Sequence, residues 1–266
     1  MQLINDRRLQ ILSSLNILGA GLEVAPYFNP VLLKDECSVK YVDYVSTDEL
    51  RKKAAMNPGA NGREVMEVDY VWTPGRLLSS CIGSDVSFNY AVASHVVEHV
   101  PNVIGWLNEI MEVMRVGGTL ALCVPDKRFS CDFYRRETEM SDLIGAWIER
   151  RSIPSPSQVY DFTSRGIYYE GNSSVLSLPF NQARRAYTDE QALSYALWTH
   201  TENQYLDVHC TVWTPDGFLA SLRELNELGI LNIKLSDPIV EPERAEFIIH
   251  LTKLGEPKMT LPQSSK

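Results

Sequence analysis

The stretch that decides the fold runs from Ala91 to Asp126 and opens Ala91-Val92-Ala93-Ser94-His95-Val96-Val97-Glu98-His99-Val100-Pro101. Its first residues complete an apolar run, Phe88 to Ser94, of strand length. Ile104, Leu107, Met111 and Met114 then recur at three- and four-residue spacing. That spacing predicts an amphipathic helix, closed by Gly117 as a left-handed cap residue. Thr119 to Val124 reads as a strand buried on both faces. Strand, helix and strand in this order make one unit of a parallel sheet.

The same alternation extends outward. Leu22-Glu23-Val24 is a strand ending at Ala25-Pro26, and Val39 to Val42 is a second ending at Asp43. Ser46 and Glu49 frame a capping box for a helix through about Ala55, and Glu64 to Val71 is a third strand. Downstream, Thr214-Pro215-Asp216 supplies an N-cap and an N1 proline. Phe218, Leu219, Leu222, Leu225 and Leu228 form an apolar stripe that Gly229 ends. Ile230 to Leu235 and Ala245 to Thr252 are the last strands. The pattern predicts an α/β fold, a Rossmann-like doubly wound sheet of seven mostly parallel strands. Residues 1–126 form its core, 127–210 an aromatic-rich insert after the fifth strand, and 211–266 the return to the core. The insert is mixed and mainly helical, with helices near 140–151 and 189–200.

The chain has 266 residues, 44% hydrophobic and 22% charged, enough to bury one large core. No apolar run of about eighteen residues occurs, so no membrane span is expected. Met1 to Arg8 is not followed by an apolar segment and a cleavage site, which argues against a secretory signal. The five cysteines are scattered and never spaced Cys-x-x-Cys, a pattern of reduced thiols that points to the cytoplasm. A net charge of −9 removes nucleic acid from the expected partners.

Ligands of open parallel sheets bind beyond the carboxyl ends of the strands, near the point where strand order reverses. Ala25-Pro26, Asp43, Asp69 to Trp72 and Ser94-His95 all fall at such ends. An acidic residue after the second strand can accept both hydroxyls of a ribose, and Asp43 stands there. Taken singly, each is as readily a turn former or a helix cap.

Together, Leu22 to Pro26, Tyr41-Val42-Asp43, Ala93 to Val100 and Val116-Gly117-Gly118-Thr119-Leu120 resemble the successive motifs of class I S-adenosylmethionine-dependent methyltransferases. The resemblance covers residues 20 to 128, and the last helix and two strands fit the same fold. It implies an antiparallel last strand. Val124-Pro125-Asp126-Lys127-Arg128 resembles a bacterial subgroup associated with sugar and polysaccharide biosynthesis. The resemblance implies S-adenosylmethionine as cofactor, held by Glu23, Ala25, Pro26, Tyr27, Asp43, Asp69, Trp72, Ser94 and His95. It departs at the first motif, where the family has Glu-x-Gly-x-Gly. Here Ala25 puts a methyl group where the backbone approaches the ligand, and Pro26 stiffens the loop.

His95-x-x-Glu98-His99 admits three readings. As an inverted zincin signature it would need one continuous helix, and His95 sits at a strand end with Pro101 close behind. A second reading comes from resemblance to methyltransferases of vicinal hydroxyls. It makes His95, Glu98 and His99, with His209, a site for a magnesium-like ion. The third makes Glu98-His99 a structural cap, as in many methyltransferases without metal. For a hydroxyl acceptor the reaction needs a base, and His99, Asp126 and His209 are the candidates. Asp126 equally suits pairing with Lys127 or Arg128.

Within the insert, Phe129, Phe133, Tyr134, Tyr160, Tyr168, Tyr169, Tyr187, Tyr195, Trp198 and Trp213, interspersed with arginines 135, 136, 165, 184 and 185, suit stacking on sugar rings and holding anionic groups. They equally suit the core of an insert. The expected activity is O-methylation of a sugar, nucleotide sugar or polysaccharide-type hydroxyl. The rivals are N- or C-methylation of a small metabolite, or a non-catalytic cofactor-binding subunit. A homodimer, or association with a glycosyltransferase, is compatible with either.

Overall fold

The computed structural model describes residues 2–60, 62–83, 86–168 and 183–262. At its centre is an eight-stranded sheet in the order β3-β2-β1-β4-β5-β10-β8, with β9 paired to β10. The strands are β1 Gly21–Val24, β2 Val39–Asp43, β3 Tyr70–Val71, β4 Phe88–Ser94, β5 Met114–Pro125, β8 Ile233–Leu235, β9 Ile239–Glu241 and β10 Glu246–Lys253. Strands β1 to β5 pair in parallel, and β10 runs antiparallel against β5, β8 and β9. Strand order reverses between β1 and β4, so a crevice opens beyond Val24 and Ser94.

Both faces are covered. On one, α3 (Leu78–Ile82), α4 (Val103–Glu112), α5 (Met140–Ile148) and α8 (Pro215–Glu227) bury Ile104, Leu107, Trp147, Phe218 and Leu222 with Leu22, Leu120 and Phe247. On the other, Ile11 of α1 (Gln2–Leu12) and Val31 and Leu32 pack on Tyr41, Val92 and Ile248. Each fully buried side chain of this size contributes about 1.5–3 kcal/mol. Helix α2 (Thr47–Met56) starts at the expected capping box of Ser46 and Glu49. Thr214 caps α8 through Gly217 N, with Pro215 in the first turn.

Several boundaries differ from the sequence expectation. The third strand is Tyr70–Val71, much shorter than 64–71, and the strand expected over 230–235 starts at Ile233. Helix α4 ends at Glu112, because Met114 already pairs with Phe88 as the first residue of β5. Gly117 is therefore no helix cap. With Gly118 it lies where β5 loops out, between the pairs Phe88–Met114 and Tyr90–Thr119. Gly117 has φ +83°, and a Cβ on Gly118 would lie 2.8 Å from the Arg115 carbonyl. The eighth strand, β9, was not expected in the sequence.

The helices after β5 pack on two cores. Leu143, Ala146 and Trp147 of α5 face the main core. A separate small core, of Val159, Ala196, Val208 and Cys210, joins α6 (Pro156–Arg165), α7 (Asp189–Glu202) and the irregular segment before α8. Helix α6 was missed, although Ser155, Pro156 and Gln158 carry its capping box and N1 proline. Beside it lies a short hairpin of β6 (Ile167–Tyr168) and β7 (Arg184–Arg185). No helix of the described residues is long and apolar enough to cross a membrane.

Candidate functional site

Two cavities meet at the switch point. One, of about 560 Å³, reaches from Asp43 and Trp72 past Ala25, Tyr27 and His95 to His99, Arg151 and Asp207. The other, of about 570 Å³, lies under α1, between Arg7, Glu23, Pro26, Ser94 and Glu246. Val24, Ala25, Tyr27 and His95 line both. Three of these four divide the cavities from the left-handed region: Ala25 at φ +52°, Tyr27 at +49° and His95 at +56°. Non-glycine residues take such angles at a cost of about 1–3 kcal/mol, and they concentrate where a ligand is held. Ala25 thus adopts the backbone that a glycine would adopt there at no cost.

The loop after β1 is fixed by Glu23. Its buried carboxylate accepts hydrogen bonds from Val31 N at 2.7 Å and Leu32 N at 2.9 Å. Burial nevertheless pushes the carboxyl up to about 7, against the pull of those two N–H groups. Glu23 therefore shapes the loop and lines the α1 cavity, while Asp43 lines the larger cleft. Burial also pushes the Asp43 carboxyl up, to about 6, although Tyr44 and Val45 N–H groups donate to it. Trp72 stacks on Trp106 at 6.4 Å between ring centroids and donates Nε1–H to the Arg76 carbonyl.

Asp69 stands elsewhere. It lines neither cavity, pairing with Lys34 at 2.7 Å and Lys40 at 2.9 Å and accepting from Tyr41 N. Its place one residue before β3 turns it onto the β2 edge, where two lysines neutralise it. Ser94 lines the α1 cavity and accepts from Arg7.

Asp126 also lines neither cavity. Fully buried, it is closed by Arg128, whose Nε lies 3.0 Å from Oδ1 and whose second nitrogen lies 2.6 Å from Oδ2. Two-residue spacing lets the guanidinium fold back onto the carboxylate, which is the pairing expected as the alternative to catalysis. Of the insert aromatics and arginines expected at the site, none of the described ones lines either cavity. Trp213 is core against Phe218, and Arg135 is buried between Asp132 and Asp161. Tyr169 lies outside the described residues. The insert reaches the cleft instead through Tyr205 and Asp207, with Arg151 beside them. Asp207 was readable only as a neighbour of His209.

The histidine motif resolves into two groups. Residues Val97–His99 form a single 3-10 turn, so no continuous helix carries both histidines. His95 Nε2 is taken by Glu246 at 2.7 Å, and its Nδ1 lies 3.5 Å from Glu98. Burial opposes its protonation, yet the two carboxylates raise His95 to about 9. Its Nε2 is occupied by Glu246 and it lies outside the group of side chains that could share an ion, so the expected metal set loses His95, and the zincin reading lacks its helix. Glu98, His99 and His209 do converge, with one ligand atom of each within 4.8 Å of the others. The rings of His99 and His209 meet edge to face at 4.7 Å. Two imidazoles and one carboxylate are a poor donor set for magnesium, which takes oxygen ligands and several waters. His99 alone of the three lines the cleft.

No family model matches this chain, and no curated protein matches it in sequence. Some solved structures are similar over most of their length, at TM-scores below 0.5. The CcbJ methyltransferase from Streptomyces caelestis is similar at TM-score 0.45 and 12% identity, over 92% of this chain and 93% of that one. The glycopeptide N-methyltransferase MtfA, complexed with S-adenosyl-L-homocysteine, is similar at TM-score 0.44 and 13% identity, over 93% and 88%. A putative Zn-dependent alcohol dehydrogenase from Rhodobacter sphaeroides is similar at TM-score 0.49 and 11% identity, over 94% and 90%. The class defined by fold and site is a doubly wound α/β protein with a ligand crevice at its switch point.

Proposed function

We propose that this protein is an S-adenosylmethionine-dependent O-methyltransferase whose acceptor is a sugar, nucleotide sugar or polysaccharide-type hydroxyl. The observation that carries the reading is the cleft of about 560 Å³ at the β1/β4 switch point, with the Asp43 carboxylate at its wall and Trp72 nearby. Its volume is that of a nucleoside-sized ligand site. Asp43, once ionised, accepts both ribose hydroxyls, and Trp72 offers an aromatic face to the adenine.

The chemistry is an in-line displacement. The acceptor oxygen attacks the methyl carbon, the carbon–sulfur bond breaks, and S-adenosylhomocysteine leaves as a neutral thioether. The hydroxyl proton must be removed, and His99, with Nδ1 2.9 Å from Asp207 Oδ1, marks the acceptor end of the cleft where it leaves. Tyr205 and Arg151 beside it suit a polyhydroxylated, anionic acceptor.

Calorimetry with S-adenosylhomocysteine tests the cofactor, and a methyl-transfer screen over nucleotide sugars with product mapping tests the acceptor. Binding without turnover on any hydroxyl acceptor would favour N- or C-methylation or a non-catalytic subunit. No binding by well-folded protein would sink every enzymatic reading. Association with a glycosyltransferase, or a homodimer, is tested by light scattering and co-purification.

A further inference from the structure

We infer that Glu98, His99 and His209 bind a borderline divalent transition metal, of the zinc class, at the seam between the core and the insert. The inference is independent of methyl transfer, because it rests on how these side chains are held.

Glu98 is 1% exposed, and neither of its carboxylate oxygens has a hydrogen-bond partner. A buried carboxylate without a hydrogen bond is costly, and the side chains beside it that can offset its charge, His95 and His99, do so from a distance. The nearest nitrogen groups are His95 Nδ1 at 3.5 Å and His99 Nε2 at 3.9 Å, and neither reaches hydrogen-bond distance.

His209 is oriented by a carboxylate through a hydrogen bond, and His99 lies beside one without a hydrogen bond to it. His99 Nδ1 lies 2.9 Å from Asp207 Oδ1, and His209 Nδ1 lies 2.6 Å from Asp132 Oδ2. Asp132 is itself buried and held by Arg135 at 2.7 Å. At His209 the carboxylate-held Nδ1 leaves Nε2 as the ligating atom, the arrangement found around metal-bound imidazoles. Two imidazoles and one carboxylate suit zinc and its neighbours, and three protein ligands leave a further position open. Bonds of about 2.1 Å place tetrahedral donors about 3.4 Å apart, so donors within 4.8 Å of one another close by at most about 1.4 Å on binding. Backbone already ties the partners: Cys210 N and Thr211 N both donate to the Glu98 carbonyl, at 2.6 and 3.1 Å.

The test uses the full chain, stripped with chelator and titrated with Co2+ and Zn2+. The expected result is one equivalent of Co2+ with a visible ligand-field spectrum, displaced by Zn2+ and not by Mg2+. His209→Ala and Glu98→Gln abolish that spectrum, and Asp132→Asn weakens binding about 10- to 100-fold. Folded wild-type protein that takes up no Co2+ overturns the proposal. So does a spectrum that survives His209→Ala in protein whose circular dichroism is unchanged. Where a variant fails to fold, the wild-type titration decides. Cofactor binding, measured separately with S-adenosylhomocysteine, shows whether a negative result concerns the metal or the methyl-transfer reading.

Discussion

Arg7 and Glu246 are separated by 239 positions in the chain and joined by a bidentate ion pair, at 2.6 and 2.9 Å. The pair clamps α1 to the start of β10, and Glu246 holds His95 at the end of β4 with its second oxygen. One carboxylate thus fixes the roof of the α1 cavity and the wall it shares with the larger cleft.

The acid limb of stability reports this clamp. Burial raises the Glu246 carboxyl, but His95 and Arg7 outweigh it and hold it down at about 2, below its ordinary 4.5. The stabilisation is complete above pH 4.5 and is lost as pH falls toward 2, on the order of 3 kcal/mol. Denaturant titrations from pH 7 to 2 should show that loss in the wild type. Glu246→Gln should be less stable at pH 7 and flatter below pH 4.5.

Asp43 predicts the opposite sign. Its folded carboxyl, at about 6, lies above the ordinary 3.8, so it stabilises the free protein fully below pH 3.8 and that stabilisation is lost as pH rises through 6. On the proposed function, ribose recognition uses the ionised form. S-adenosylhomocysteine affinity should therefore fall as pH drops below about 6. Asp43→Asn should bind roughly 10- to 100-fold more weakly at pH 7.5, about 1.5–3 kcal/mol, with no pH dependence between 5 and 7. Calorimetry at both pH limits checks this.

Ala25→Gly should raise stability by up to about 1 kcal/mol. Relief of the left-handed backbone outweighs the added freedom of the unfolded chain. Cofactor affinity should hold or improve, since a methyl group leaves the shared wall. A lower melting temperature would show that Ala25 carries no strain.

Asp126→Asn separates fold from chemistry. The variant should lose about 1–3 kcal/mol of stability through its weakened bonds to Arg128, and keep cofactor affinity within about threefold. A large loss of turnover at unchanged cofactor affinity, in stable protein, would restore Asp126 as the base.

Local patterns made much of the fold legible. The run Phe88 to Ser94, the Ser46–Glu49 capping box, the Thr214 cap with Pro215 and the stripe on α8 are each settled by neighbours in sequence. Positions at strand ends likewise placed Asp43, Trp72, Ala25 and His95 beside the cleft. Their chemistry was not legible, because a charge is defined by what faces it. Asp126 and Asp69 follow strand-end rules as well as Asp43 does, yet Arg128 closes one and Lys34 and Lys40 the other.

Boundaries governed by pairing were also out of reach. Met114 fits the helical spacing of Ile104, Leu107 and Met111, but its backbone is claimed by Phe88 of the neighbouring strand. Sequence periodicity determined the layers and the end of the sheet at which a ligand sits. Only the tertiary structure decided that His95 belongs to Glu246, that His99 and His209 meet at Glu98, and that Asp207 stands behind His99. Those contacts join residues tens to hundreds of positions apart, and no local pattern encodes which of several carboxylates a buried imidazole will face.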